Sequence, residues 1–228
     1  MHKTAMEHAR LFFKTYVKAP VTIVDIGAQD VNGSLRSVAP ESCTYIGVDF
    51  VKGRGVDVVI DDAYTLPFAN ESFDVAVTSS CFEHSEFFWL TFLEILRILK
   101  PSGLLYLNVP SNGPFHRYPI DCWRFYPDSG VALQNWARRN GVQASMLESF
   151  TGPQNTGAWN DFVAVFVKDA KEAKRYPERI TNHYTCVTNG LVADNEHFIN
   201  ERFWPADQST LWRRTVREIK ALFGRYPD

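Results

Sequence analysis

The chain has 228 residues with 24 basic and 26 acidic side chains, a formal net charge of −2, and 45% hydrophobic residues. This composition is typical of one globular domain with additions and excludes a disordered chain. The near-neutral balance argues against a dedicated nucleic-acid binder, which usually carries a basic face, so the expected partner is a small molecule.

Short β-branched runs alternate with helical periods up to residue 167, a pattern typical of a parallel sheet covered by helices. We predict seven strands at 22–26, 44–49, 57–60, 73–79, 103–109, 144–149 and 162–167. We predict helices at 2–18, 32–38, 87–99, 128–139 and, in the tail, 209–223. The expected fold is α/β, a doubly wound, seven-stranded and mostly parallel sheet with helices on both faces and a C-terminal extension.

This pattern divides the chain into an N-terminal helix (1–19), a cofactor-binding domain (20–168) and a C-terminal extension (169–228). Residues 168–228 have 11 basic and 9 acidic residues, whereas residues 1–167 have 13 and 17. Its segment 181–205 is interpreted as packing against the domain or as a lid over the acceptor. Apolar residues at helical spacing in 209–223 predict docking on the sheet or on a second copy in a homodimer.

No apolar stretch reaches the ~18 residues that a membrane span needs, because the best candidate contains Glu94 and Arg97. The first twenty residues lack the apolar segment of a secretory signal. The four cysteines are scattered and form no C-x-x-C pair. We therefore expect a cytoplasmic protein with reduced cysteines, no membrane contact and no metal site.

The ends of the predicted strands carry polar residues where a doubly wound sheet binds its ligand. Gly27 follows strand one, and Asp49 and Phe50 end strand two, where a carboxylate can accept from ribose hydroxyls and an aromatic ring can cover an adenine. Asp62 and Ala63 follow strand three, where they can contact the adenine edge. Each acid alone is also typical of a solvated strand end, so the combination carries the prediction.

The order and spacing of these residues resemble those of the class I S-adenosylmethionine-dependent methyltransferases. The matching features are Asp25 and Gly27, Asp49, Asp62-Ala63, a Leu-Pro-Phe segment at 66–68, and Arg97-Ile-Leu-Lys-Pro-Ser-Gly103. The resemblance covers about residues 20–167. The chain departs from the family at Gln29 and Val31, where loop glycines are usual, and at Ser102. A nicotinamide enzyme usually keeps those glycines, so S-adenosyl-L-methionine is the expected cofactor.

The resemblance implies a cofactor-binding set that spans the ends of four strands. In this sequence the set is Asp25, Gly27, Ala28, Gln29, Asp49, Phe50, Asp62, Ala63, Ser79 and Ser80.

The segment after strand five, 110–128, combines two arginines, a histidine, two carboxylates and five aromatic residues. Loops at this position lie over the reactive end of the cofactor, so we predict that Arg117, Tyr118, Asp121 and Arg124 bind the acceptor. Packing of the aromatic rings and an ion pair of Asp121 with Arg124 or Arg117 are the structural alternatives.

His116 is the first candidate for a general base, because an imidazole titrates near neutral pH, and His84 is its rival. His2, His8, His183 and His197 are assigned to the surface. The predicted function is methyl transfer to an oxygen or nitrogen of a small polar acceptor, such as a sugar or secondary metabolite. The charge distribution favours an acceptor that can be anionic. A catalytically inactive cofactor-binding regulatory or partner protein is the alternative.

Overall fold

The computed structural model describes residues 3–154, 159–193, 195, 197–203, 215 and 219. Helix α1 spans Lys3–Tyr16, α2 spans Phe88–Ile98 and α3 spans Ser129–Arg139. The eight strands are β1 Thr22–Ile26, β2 Thr44–Asp49, β3 Val58–Val59, β4 Phe73–Ser79, β5 Leu99–Pro110, β6 Ser145–Thr151, β7 Asp161–Val167 and β8 Thr188–Val192. Short 3-10 helices lie at Leu35–Val38, Phe82–His84, Ala170–Arg175 and Ile180–Asn182.

All eight strands form one sheet in the order β3-β2-β1-β4-β5-β7-β6-β8. The first five are parallel, whereas β7 is antiparallel to both β5 and β6, and β8 is antiparallel to β6. The α/β fold with helices on both faces is therefore confirmed. The count of seven strands is wrong, because the C-terminal extension adds an eighth strand at the β6 edge.

Chain order reverses between β1 and β4, which are neighbours in the sheet and run in the same direction. Their carboxyl ends therefore open a crevice at one edge of the sheet, where doubly wound folds bind ligands. One face is covered by α2 and α3 over residues such as Phe92 and Leu105, and the other by α1 and the extension over residues such as Tyr106 and Phe150. The sheet core thus holds the loops of the crevice in place.

The predicted helix at 32–38 is only the 3-10 helix Leu35–Val38. Gly33 has a φ of +121°, and Ser34 is extended with its hydroxyl accepting from the Arg36 amide, so regular helix begins only after both residues. The tail helix at 209–223 falls almost entirely outside the described residues, where only Thr215 and Ile219 are helical. The homodimer contact that depends on it stays a prediction.

His8 is fully buried, and its assignment to the surface is wrong. Its ring packs edge-on against Phe150 and Tyr184 at centroid distances of 5.6 Å, and Nδ1 lies 3.4 Å from a carboxylate oxygen of Asp161. A Cβ atom at Gly152 would approach the ring to 2.3 Å. The missing side chain at Gly152 therefore creates the space for His8 under α1.

Glu148 fastens the extension to the sheet from a fully buried position on β6. Its carboxylate accepts from the Tyr16 hydroxyl at 2.6 Å, the Ile180 amide at 2.6 Å, and the Thr181 amide and hydroxyl at 3.0 and 2.9 Å. Helix α1, the sheet and the extension therefore share one set of buried hydrogen bonds. None of the helices in the described part of the chain has the length and hydropathy of a membrane span.

Candidate active site

Gly27 turns the chain at the end of β1 with a φ of +83°, a conformation that favours glycine. A Cβ atom there would lie 2.8 Å from the Cβ of Cys81, in the segment after β4. The amides of Gly27 and Ala28 both donate to the Val48 carbonyl, at 2.9 and 3.0 Å. The loop after β1 is therefore drawn close to the ends of β2 and β4.

Asp49 lies at the carboxyl end of β2 beside this loop. Its Oδ2 accepts from the Gln29 amide at 3.0 Å, and its Oδ1 accepts from the Phe50 amide at 2.7 Å. A carboxylate oxygen has two lone pairs, so each retains capacity for a further donor. The Phe50 ring is 55% exposed, so its face is open to a planar ligand. The pair is placed to hold a ribose and cover an adenine.

Asp25 is buried in β1 and accepts from the Tyr45 hydroxyl at 2.7 Å. Burial raises the pKa of this carboxyl to about 7, and the neighbouring Asp49 adds to the rise, while the Tyr45 hydrogen bond and Arg36 oppose it. Asp25 lies beneath the loop it is predicted to organise rather than on its surface.

The raised pKa of Asp25 predicts a pH-dependent cost to stability. Between about pH 4 and 7 the unfolded chain releases the carboxyl proton while the folded chain keeps it, so this group's contribution to stability is lost as the pH rises. In urea unfolding without ligand, the free energy of unfolding of Asp25→Asn relative to that of the wild type should rise by on the order of 3 kcal/mol from pH 4 to pH 8. A difference that stays constant over this range would contradict the assignment.

Sequence reasoning missed the segment after β2, which folds over the first loop. A Cβ atom at Gly47 would come within 1.9 Å of the Gly55 carbonyl oxygen and 2.9 Å of the Ala28 Cβ. The segment therefore packs too closely on Gly47 to leave room for a side chain. The Asp30 amide donates to the Arg54 carbonyl at 2.8 Å, and the two side chains form an ion pair at 2.8 Å. The G-x-G sequence at 53–55 was the available signal for this segment.

Asp62 and Ala63 lie on the turn after β3, next to the strand that ends at Asp49. Asp62 is exposed, and its Oδ1 accepts from the Tyr64 amide at 2.7 Å, which fixes the turn. Their contact with an adenine edge stays a prediction.

Ser79 and Asn108 are register partners at the ends of β4 and β5. Both side chains are buried, and neither the Ser79 hydroxyl nor the Asn108 carbonyl oxygen has a hydrogen-bond partner among the described residues. Ser80 follows with a φ of +53°, unusual for a residue with a side chain, and its amide donates to the Asn108 carbonyl at 3.0 Å. Unpaired buried polar atoms and local strain at one strand end are typical of a ligand site.

The loop after β5 is organised by an ion pair. The Asp121 side chain is 1% exposed and accepts from both terminal nitrogens of Arg124, at 2.5 and 2.8 Å, and from the His116 amide at 2.7 Å. The Arg124 guanidinium holds the pKa of Asp121 well below its usual range. Arg124 also donates to the Pro114 carbonyl at 3.0 Å. Both residues therefore have structural partners, and their contact with an acceptor stays a prediction.

The aromatic residues of this loop divide into two groups. Phe125 is buried, and Trp123 packs edge-on against Phe88 at 5.5 Å while its indole N–H donates to the Ser85 carbonyl at 2.9 Å. Tyr118 and Tyr126 are both 57% exposed. Packing thus explains the first group, whereas the second is available to a ligand.

The two candidate bases are neighbours. The rings of His84 and His116 lie 4.9 Å apart at 79°, on the turn after β4 and the loop after β5 respectively. Burial lowers the pKa of His84, opposed by its hydrogen bond to the Ile120 carbonyl. Sequence reasoning missed Glu83, which is 1% exposed beside them, and the signal was its position directly before His84.

Residues 8–107 match a family model described as a methyltransferase domain. The match covers 100 of the 228 residues, so it supports a methyltransferase domain in this part of the chain. Residues 8–107 form a class I S-adenosylmethionine-dependent methyltransferase domain. The cofactor of this methyltransferase domain is S-adenosyl-L-methionine.

Two curated relatives are methyltransferases of mycobacteria. The chain is 28% identical over 120 residues to an uncharacterized methyltransferase of Mycobacterium avium, covering 52% of this chain and 44% of the relative. It is 42% identical over 71 residues to phthiotriol/phenolphthiotriol dimycocerosates methyltransferase 1 of Mycobacterium ulcerans, covering 29% of this chain and 22% of the relative. The chain therefore spans less than half the length of either relative.

The methyltransferase domain also resembles solved structures. The 1,6-didemethyltoxoflavin-N1-methyltransferase of Burkholderia thailandensis, solved with S-adenosylhomocysteine and 1,6-didemethyltoxoflavin, superposes with a TM-score of 0.59 at 18% identity. The match covers 73% of this chain and 79% of that one. At this identity the likeness concerns the fold.

The residues of the methyltransferase domain fit its cofactor. We expect the Asp49 carboxylate to face the ribose and the unpaired polar atoms of Ser79 and Asn108 to face the methionine end. Gly27 itself has no side chain, and a Cβ atom there would lie 2.8 Å from the Cβ of Cys81. The individual contacts stay predictions.

Asp49→Ala should weaken binding of S-adenosylmethionine to the methyltransferase domain about 100-fold in calorimetry, because two hydrogen bonds to a charged group are lost. The matched control is Glu41→Ala, an exposed acid in the segment before β2, at the opposite edge of the sheet. Equal affinity in Asp49→Ala and the control would show that the ribose is held elsewhere.

Proposed function

We propose that the protein transfers the methyl group of S-adenosylmethionine to an oxygen or nitrogen of a small polar acceptor held under the loop after β5. One contact carries this proposal: the Tyr118 hydroxyl donates to the Gln29 side-chain carbonyl at 3.3 Å. It joins the predicted acceptor loop to the predicted cofactor loop across the crevice. An acceptor held by the first loop would thus lie next to a cofactor held by the second.

The exposed side chains of the acceptor loop support a polar acceptor with a planar or apolar part. Arg117 is exposed and forms no ion pair with any residue that the structure describes, so its guanidinium is available to an anionic group. Phe115 is 76% exposed, and Tyr118 lies beside it on the same loop. The Burkholderia thailandensis relative binds 1,6-didemethyltoxoflavin, a small molecule, which supports an acceptor of similar size here.

The chemistry asks little of the protein beyond positioning. The sulfonium of S-adenosylmethionine makes its methyl group electrophilic. The protein must hold the acceptor atom ~3 Å from that carbon, in line with the breaking bond, and must accept a proton when the acceptor is a hydroxyl. The imidazoles of His84 and His116 are the neighbouring groups that can take part in that proton transfer.

Release of S-adenosylhomocysteine over a panel of hydroxylated and aminated acceptors tests this function. The panel should include sugars, phenols and carboxylated heterocycles, and cofactor binding should be measured in parallel. We expect turnover with at least one polar acceptor. Cofactor binding without turnover on the panel would favour the inactive regulatory alternative, which the exposed rings of Phe115, Tyr118 and Tyr126 also support as a partner surface.

A further inference from the structure

Glu83, His84 and His116 form a cluster with the composition of a metal site. Glu83 and His84 lie in the 3-10 turn after β4, and His116 lies in the loop after β5. One ligand atom of each residue lies within 4.8 Å of the other two. The cluster joins two of the strand ends that border the crevice.

The two imidazoles are oriented as metal ligands usually are. Nδ1 of His84 is hydrogen-bonded to the Ile120 carbonyl, an acceptor, so Nδ1 carries the proton and the lone pair lies on Nε2. Nδ1 of His116 forms no hydrogen bond with the described residues, but it lies 3.4 Å from Oδ2 of Asp121. Asp121 is itself fixed by Arg124. Such outer partners set the tautomer and direction of ligating histidines.

Glu83 is a buried acid with an unpaired carboxyl oxygen among the described residues. Its side chain is 1% exposed, and Oε2 accepts no hydrogen bond from the described residues. Oε1 lies 3.9 Å from Nε2 of His84. Two ligands at about 2.05 Å from a tetrahedral ion would lie about 3.3 Å apart, so the three ligand atoms, now within 4.8 Å of one another, must approach by up to about 1.5 Å when an ion binds. Leaving a buried carboxylate unpaired is costly, and a cation removes that cost.

The backbone around the cluster is braced. The Glu83 carbonyl accepts from the Cys122 amide at 2.7 Å and the Trp123 amide at 3.3 Å, which ties the turn after β4 to the loop after β5. The two segments that carry the ligands are therefore joined by backbone hydrogen bonds.

We propose that Glu83, His84 and His116 bind a divalent transition-metal ion of the Zn²⁺ type. Two imidazole nitrogens and one carboxylate oxygen suit such an ion and leave coordination positions open. This proposal replaces the sequence-based expectation of no metal site. Metal binding stands independently of methyl transfer, whereas a role in the reaction rests on the proposed function.

In the reaction, the ion would promote loss of the acceptor proton, which a general base would otherwise remove. It would lower the pKa of an acceptor hydroxyl, so that its proton leaves to solvent at neutral pH. The acceptor oxygen then forms a bond to the methyl carbon as the carbon–sulfur bond breaks, and neutral S-adenosylhomocysteine is released. His116 would act as a ligand and would not take the proton itself.

Metal titration of the full chain, without an affinity tag and after chelator treatment, tests the proposal. Calorimetry with Zn²⁺ and visible absorption with Co²⁺ should show one ion per chain. His84→Ala, His116→Ala and Glu83→Gln should each lower the affinity at least about 100-fold. The matched control His183→Ala removes an exposed imidazole beside Glu178 and should leave affinity unchanged.

S-adenosylhomocysteine binding to the same variants separates this proposal from the proposed function. Retained binding with loss of the ion shows that the ligand variants are folded and supports the metal site. Wild-type protein that binds neither Zn²⁺ nor Co²⁺, or His84→Ala that binds as tightly as the wild type, overturns it. Loss of turnover in His116→Ala with metal affinity unchanged would also overturn it and assign that imidazole as the base.

Discussion

Replacing Glu148 by alanine should lower the free energy of unfolding by about 3–5 kcal/mol, one of the two largest effects we expect from a single substitution. The carboxylate is fully buried and accepts four hydrogen bonds from Tyr16, Ile180 and Thr181. Alanine would leave two backbone amides and two hydroxyls without their acceptor in a dry environment. Urea unfolding followed by far-UV circular dichroism measures the change.

The matched control for this variant is Glu178→Ala, which removes an exposed glutamate from the same extension. Its effect should stay within about 0.5 kcal/mol, as for other surface positions. Glu148→Gln provides a second comparison, because an amide has one acceptor oxygen and a donor group where the carboxylate has two acceptors. Glu148→Ala with the stability of the control would mean that the extension is not fastened to the sheet through this residue.

Asp121→Ala should cost about 2–3 kcal/mol and disturb the loop after β5. The change leaves the Arg124 guanidinium and the His116 amide without their acceptor. Because the Arg124 side chain is 22% exposed, hydrogen bonds to water offset part of this loss. The lowered pKa of Asp121 gives the sign of the pH dependence. This carboxylate stabilises the fold above its ordinary pKa, and that contribution is lost as the pH falls below about 4.

Asp128→Ala, seven residues along the chain, is the control for Asp121→Ala, because this acid is exposed and its side chain caps no helix amide. Thermal unfolding at pH 7 and pH 3 should separate the two variants at neutral pH and bring Asp121→Ala closer to the wild type in acid. An equal difference at both pH values would contradict the role given to the ion pair.

The strands and the polar residues at their ends could be predicted from local pattern, because buried parallel strands show apolar runs that end in polar residues. The eighth strand could not, because Thr188–Val192 contains Asn189 with a φ of +49° followed by Gly190, a pair that is typical of a turn. Only its pairing with β6 makes this segment a strand.

The features of the fold and the site that sequence reasoning missed depend on contacts between residues that are distant in the sequence. His8 is buried because Gly152 leaves space for its ring, and nothing near residue 8 indicates that. The segment at 53–55 closes over the first loop through contacts with Ala28 and Asp30. Glu83 gains its significance from His116, which lies in another loop and reaches it only through the pairing of β4 with β5.

The central claim is that the crevice at the carboxyl ends of β1, β2 and β4 binds S-adenosylmethionine. Calorimetric titration of the full chain with S-adenosylhomocysteine, with NAD⁺ titrated in parallel, tests it most directly. We expect one binding site for S-adenosylhomocysteine per chain and no heat of binding with NAD⁺. Binding of NAD⁺ in place of S-adenosylhomocysteine would contradict the claim.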